Sequence, residues 1–208
     1  RDRSPSRGLG DVYKRQSLSN SYNIEDVVAF TERIEKNLEY KHEKLEYVLE
    51  LKLDGASISV TYEKGQLVRA VTRGDGIEGE DVTDNILAIN TIPNYLKEDV
   101  DLEVRGEIVL PLSQFEKLNE ERLKNGEEIF ANPRNAASGT LRQLDSEIVK
   151  ERGLDAYFYY VVEPLKYGFK THRESLDYLD KVGIKTTGVA EVIDDLSAVS
   201  YTHLTLPT

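Results

Sequence analysis

This sequence predicts an α+β fold, with mostly antiparallel sheets and flanking helices. Short stretches alternate apolar and polar residues with a period of two, as half-buried strands do. Two of these stretches are joined by a short segment that turns at Lys64-Gly65, which permits a hairpin and leaves no room for a parallel crossover. Other stretches repeat apolar residues every three or four positions, as amphipathic helices do.

The elements follow in order. Asn23 is placed to cap a helix, with Asp26 at its third position, and Val27, Phe30, Ile34 and Leu38 form one apolar stripe that fades before Lys44. Tyr47 to Leu53 is the first strand, with Leu49, Leu51 and Leu53 on one face and Glu50, Lys52 and Asp54 on the other. Ser57 to Tyr62 and Leu67 to Thr72 form the meander around Lys64-Gly65. Asp81 to Ile89 is a short helix, and Leu102 to Leu110 a strand. Pro111 then starts a helix whose stripe is Phe115, Leu118 and Leu123 and which Gly126 ends. Asn132 caps another helix, with Pro133 as its first residue. That helix puts Arg134 and Arg142, eight apart, roughly on one face. In Asp155 to Val162, Tyr157, Tyr159 and Val161 face one way, and Phe158, Tyr160 and Val162 the other. A helix over His172 to Val182, with Leu176 and Leu179 inward, and a strand-like Ile184 to Ile193 complete the order.

Composition bounds the function. With 39% apolar and 31% charged residues the chain reads as globular, and no apolar run approaches the roughly 20 residues that span a bilayer. Cysteine is absent, which excludes disulfides and cysteine-bound zinc here. A net charge of −11 argues against a broad phosphate-gripping face, so any nucleic-acid contact must use a local arginine cluster. Methionine is absent too, as expected for a piece of a longer protein. Residues 1–16 carry five basic and two acidic residues in an otherwise acidic chain, and residues 200–208 show no helical pattern. Both ends resemble translated adaptor sequence, which leaves residues 17–199 as the body.

Gly74 to Asp81 fits the letters of a dinucleotide-binding glycine fingerprint, but a hairpin precedes it, and Glu78, Glu80 and Asp81 would repel a pyrophosphate. It reads as a loop. Glu50-Leu51-Lys52-Leu53-Asp54-Gly55 is equally consistent with a solvated sheet face and with covalent chemistry at a phosphoryl centre. A nucleophilic lysine must be neutral, against a reference pKa of about 10.4. Desolvation or nearby positive charge favours that form, and flanking carboxylates oppose it unless metal or phosphate offsets them. Asp54 can take the proton or bind Mg²⁺, and arginines hold phosphate in a planar fork.

Lys52-Leu53-Asp54-Gly55 resembles the K-x-D-G nucleophile motif of the covalent nucleotidyltransferases. Several further stretches resemble the bacterial NAD-dependent DNA ligases in order and spacing. They are Thr72-Arg73-Gly74-Asp75-Gly76, Gly79-Glu80-Asp81-Val82-Thr83, Val104-Arg105-Gly106-Glu107 and the Asn132 to Asp145 block. That last block and Ser17-Leu18-Ser19-Asn20 set the family apart from ATP-dependent relatives.

The resemblance implies an adenylation domain with an ATP-grasp-like nucleotidyltransferase fold. Lys52 would attack NAD, release nicotinamide mononucleotide and carry AMP to the 5′-phosphate of a DNA nick, for replication and repair. Glu50 would accept from the adenine amino group, and Ser17 and Leu18 would line the adenosine pocket. Arg73 and Glu107 would hold the ribose, Tyr159 would stack on adenine with Tyr157 as the alternative, and Arg134 and Arg142 would hold phosphates. Asp54 and Glu107 would be the Mg²⁺ ligands. The implied setting is the bacterial cytoplasm, as a monomer acting on NAD and nicked double-stranded DNA, away from membranes. The family's nicotinamide-binding helical region, later lysine motifs, oligonucleotide-binding barrel, zinc finger, helix–hairpin–helix and BRCT regions have no counterpart in these residues. The chain alone is therefore expected to bind AMP-like ligands weakly and not to seal nicks. An ATP- or GTP-using relative and a non-catalytic binding module are the competing readings, and the donor that labels Lys52 separates them.

Overall fold

The computed structural model describes residues 23–38, 46–74, 79–188 and 190–193. They form two compact units, which divide between Leu51 and Lys52 and again after Gly188. Ser17, Leu18 and the 75–78 stretch of the glycine-rich loop lie outside the described residues.

In the smaller unit, helix α1 (Ile24–Leu38) precedes a two-stranded antiparallel sheet of β1 (Tyr47–Glu50) and β6 (Ala190–Ile193). Asn23 Oδ1 accepts from the Asp26 amide at 2.8 Å, the expected cap. Val27 and Ile34 are half-buried, but Phe30 is 45% exposed and so leaves the expected stripe.

The larger unit is built on a four-stranded antiparallel sheet, in the order β3-β2-β4-β5. Its strands are β2 (Ala56–Glu63), β3 (Gln66–Thr72), β4 (Leu102–Val109) and β5 (Asp155–Val161). Lys64 and Gly65 both take positive φ, 49° and 77°, the backbone of a type I′ turn that suits the twist of a hairpin. Alternation sorts the two faces of this sheet. Ile58, Val60, Leu102, Val104 and Ile108 are buried on one face, while Ser57, Ser59, Glu103, Arg105 and Glu107 lie on the other.

Helices cover the apolar face. They are α2 (Thr83–Leu87), α3 (Leu112–Lys124), α4 (Pro133–Leu141), α5 (Ser146–Glu151) and α6 (His172–Val182). Helix α4 packs on β2 and β4 through Ala136, Ala137 and Leu141, small enough to bring its backbone close to the sheet. Asn132 caps it by accepting from the Asn135 amide at 2.8 Å, and Pro133 is its first residue, as expected. Helix α6 carries a capping box, with Thr171 and Glu174 satisfying each other's backbone amides.

Four expectations are corrected. The first strand ends at Glu50, so Lys52 and Asp54 follow it as irregular chain outside any strand. Leu123 is 64% exposed; Phe115 and Leu118 alone join the core from α3. The Ile184–Ile193 stretch is not one strand. Lys185 accepts a single backbone bond from Phe158 on β5, whereas residues 190–193 pair with β1 in the other unit. The faces of β5 are re-sorted by a bulge. Gly106 is paired with Phe158 and Arg105 with Tyr160, so Tyr159 is the extra residue, and Val161 turns inward with Ala156 and Phe158.

Gly106 is essential to this bulge. A Cβ there would stand 2.5 Å from the Tyr157 carbonyl oxygen and 2.8 Å from the Phe158 ring. Gly106→Ala is therefore expected to destabilise the larger unit by about 1–3 kcal/mol, read as a lower urea midpoint. An unchanged midpoint would mean that β4 and β5 separate at little cost.

Candidate active site

The residues expected to do chemistry gather where the chain enters β2. Register places Ser57 opposite Glu107, and Glu107 opposite Tyr157, so the three form one rung across the polar face. Gly55 stands just before this rung. Its amide donates to Glu107 Oε1 at 3.2 Å, and a Cβ on it would collide with the Ile108 carbonyl oxygen. Only glycine lets the backbone come this close to β4. Lys52 and Asp54, just before Gly55, are thereby held beside Glu107.

Four charges share this corner. Arg134, in the first turn of α4, donates to Asp54 Oδ1 at 3.3 Å. The Glu107 carboxyl is pushed above the usual carboxylate range, chiefly by burial. The Gly55 amide, Arg134 and Lys52 oppose the rise, and Asp54 adds to it. Lys52 is exposed and makes no hydrogen bond or ion pair among the described residues.

Arg142 lies apart from Arg134. Helix α4 ends at Leu141, so Arg142 is the residue after it, and helical periodicity does not set its direction. It donates to Glu80 Oε2 at 2.9 Å. Two groups to which the sequence assigned no role hold this pair. Buried Asn85 donates from Nδ2 to the carbonyls of Leu141 and Gln143, both at 2.8 Å, bracketing Arg142. Thr72 accepts the Glu80 amide on Oγ1 at 3.0 Å and also donates its own amide to the Glu80 carbonyl. No local pattern in the sequence marks Asn85, which follows Thr83 and Asp84 in an equally polar turn.

Other expected residues are placed as follows. The exposed Arg73 donates its amide to the Ser57 carbonyl, next to the central rung. Tyr159 is half-buried at the bulge, while Tyr157 lies on the polar face opposite Glu107. Arg105 sits over the Tyr160 ring, 5.6 Å from its centroid, one rung further along. Glu50 belongs to the smaller unit, half-buried at the end of β1 opposite Ala190.

A family profile described as the NAD-dependent DNA ligase adenylation domain matches residues 12–206. A protein named DNA ligase from Fusobacterium nucleatum subsp. nucleatum is 64% identical over 178 residues, covering 86% of this chain and 25% of the relative. DNA ligases of Thermotoga neapolitana and Anoxybacillus flavithermus are each 46% identical, covering 88% and 90% of this chain and 26% and 28% of their own lengths. The polar face thus lies on a scaffold shared with NAD-dependent DNA ligase adenylation domains. The chain belongs to the NAD-dependent DNA ligase adenylation domain family, and it spans about a quarter of the length of the curated relatives it matches.

The direction of the Glu107 shift fixes a sign. A carboxyl that titrates higher folded than unfolded weakens the fold as pH rises from the unfolded toward the folded value, and the cost is full above both. Glu107→Gln removes the partly buried charge and keeps an acceptor for Gly55. Its Tm at about pH 7.5 should equal or exceed wild type, with the gap closing as the pH falls to about 4, near the reference carboxylate value. A lower Tm at neutral pH would show that the charge itself stabilises the corner.

Proposed function

We propose that this chain is the adenylating module of an NAD-dependent DNA ligase, with an ATP-grasp-like nucleotidyltransferase fold and Lys52 as its nucleophile. The observation that carries the reading is the Gly55–Glu107 contact, which sets Lys52 and Asp54 at the edge of a polar sheet face with Arg134 beside them. Acids and bases held together there suit phosphoryl chemistry, which needs positioning and charge neutralisation above all.

NAD is consumed as substrate. The Lys52 ammonium gives one proton to Asp54, its freed lone pair attacks the adenylyl phosphorus, and a second proton leaves the nitrogen to solvent. An N–P bond forms while the P–O bond to nicotinamide mononucleotide breaks, and that mononucleotide leaves with the electron pair. In the whole ligase the AMP passes to the 5′-phosphate of a nick, and the 3′-hydroxyl then displaces it. Arg134 and Arg142 exchange their exposed partners Asp54 and Glu80 for phosphate oxygens, an exchange that costs little because surface ion pairs are weak. Arg73 and Glu107 hold the ribose, and Tyr159 stacks on adenine. Glu50 as the acceptor for the adenine amino group, and Ser17 and Leu18 as pocket residues, rest on the sequence alone.

Asp54 and Glu107 suit a hard cation. Among the described residues no group of three or more His, Asp or Glu could hold a metal ion. Mg²⁺ typically takes only one or two carboxylates and completes its shell with water and substrate phosphate. When bound there, it would neutralise charge on the phosphate.

Intact mass after incubation with NAD and Mg²⁺ tests this reading. One adenylyl group should appear on the wild-type chain, none on Lys52→Ala, and none with ATP in place of NAD. An adduct on Lys52→Ala, labelling from ATP, or no labelling in a chain that binds AMP would each overturn the assignment.

A further inference from the structure

Beside the central rung stands a lysine to which no role has been given. Lys185 follows α6 and runs along the outer edge of β5, where its carbonyl accepts the Phe158 amide at 2.8 Å. Its ammonium reaches two side chains of β5. It donates to Asp155 Oδ2 at 2.6 Å and sits 4.3 Å from the centroid of the Tyr157 ring. Asp155 and Tyr157 are two apart, so they share one strand face, and Tyr157 is the residue opposite Glu107.

We infer that Lys185 is a positioning residue for the nucleotide site, holding the Tyr157 ring as the side wall of the Glu107 rung. The inference rests on the function proposed above and extends it to a residue outside its machinery. An ordinary surface ion pair does not describe this contact. Asp155 is only 18% exposed, against 39% for Lys185, and its own position is fixed by accepting the Ala156 amide at 2.8 Å. Lys185 is tied at both ends, by backbone to Phe158 and by side chain to Asp155, so its charge is delivered to a set place on the ring. Burial opposes the charged amine, yet the bonds to Asp155 and Tyr157 outweigh it and hold the group above its ordinary value. A cation over one ring face leaves the ring's edge and opposite face for the ligand. The backbone of Tyr157 is held in place because its neighbours Ala156 and Phe158 are fully buried. Nucleoside bound over Ser57, Glu107 and Tyr157 therefore meets a wall whose tilt Lys185 sets.

A positioning role acts on affinity and leaves the chemical step alone. AMP titration of the chain by calorimetry, with adduct formation from NAD followed in parallel, separates the two. Lys185→Met keeps the length and removes the charge. It is expected to weaken AMP roughly three- to tenfold and to raise the NAD concentration giving half-maximal labelling by a similar factor, with the saturating rate retained. Lys185→Arg, which keeps the charge and the stacking, should restore most of the affinity. Tyr157→Leu should match Lys185→Met, and the double variant should be no weaker than Tyr157→Leu alone, because the two side chains act as one unit. The proposal fails if Lys185→Met binds AMP as wild type does, if the losses of the two single variants add, or if the saturating rate falls with affinity intact. A fall in Tm that tracks the affinity loss in both Lys185 variants would likewise overturn it, in favour of plain stabilisation. A wild-type chain that binds no AMP at all would instead remove the functional reading, and this proposal with it.

Discussion

One hydrogen bond anchors the proposed site in the larger unit: the Gly55 amide donating to the half-buried Glu107 carboxyl. It joins the chain entering β2 to the middle of β4, so the residues just before Gly55 cannot lie elsewhere. A carboxylate taken partly out of water is costly, and the cost is offset by hydrogen bonds and positive charge around it. Here the offset comes from the Gly55 amide, Arg134 and Lys52. The same groups that make Glu107 tolerable are the ones proposed to meet a nucleotide.

The sheet supplies the geometry around that bond. Alternation alone would run the polar face evenly along β5, but the bulge opposite Arg105 and Gly106 shifts it by one residue. Tyr157 stays beside Glu107, Tyr160 moves beside Arg105, and Tyr159 is left between them without a partner on β4. Tyr157, Tyr159 and Tyr160 thereby acquire different environments. The helices beneath fix the arginines. The small residues of α4 let it sit close under the sheet with Arg134 at its start, and Asn85 holds the chain at its end around Arg142.

Much of this was legible in the sequence. The Lys64-Gly65 hairpin, the Asn132 cap with Pro133, and the α6 stripe all rest on local rules that tertiary structure did not override. The motif residues Lys52, Asp54, Glu107 and Arg134 were named from spacing and resemblance, and the fold brings them into one corner. What escaped depends on non-local contacts. The end of β1 at Glu50 depends on where its antiparallel partner β6 begins, at Ala190, and the bulge in β5 depends on Gly106 of another strand. Asn85 and Lys185 carry no local pattern, because each is defined by a bond to a segment more than 25 residues away, 56 for Asn85 to Leu141 and 30 for Lys185 to Asp155.

The central claim is that nucleotide binds on the polar face over the Glu107 rung. Amide NMR during an AMP titration tests it most directly. Binding there should move the amides of Gly55, Ser57, Glu107 and Tyr157 together, with one common saturation curve, and leave α3 and α5 unmoved. Shifts confined to those helices, with the rung unchanged at saturation, would contradict the placement of the site.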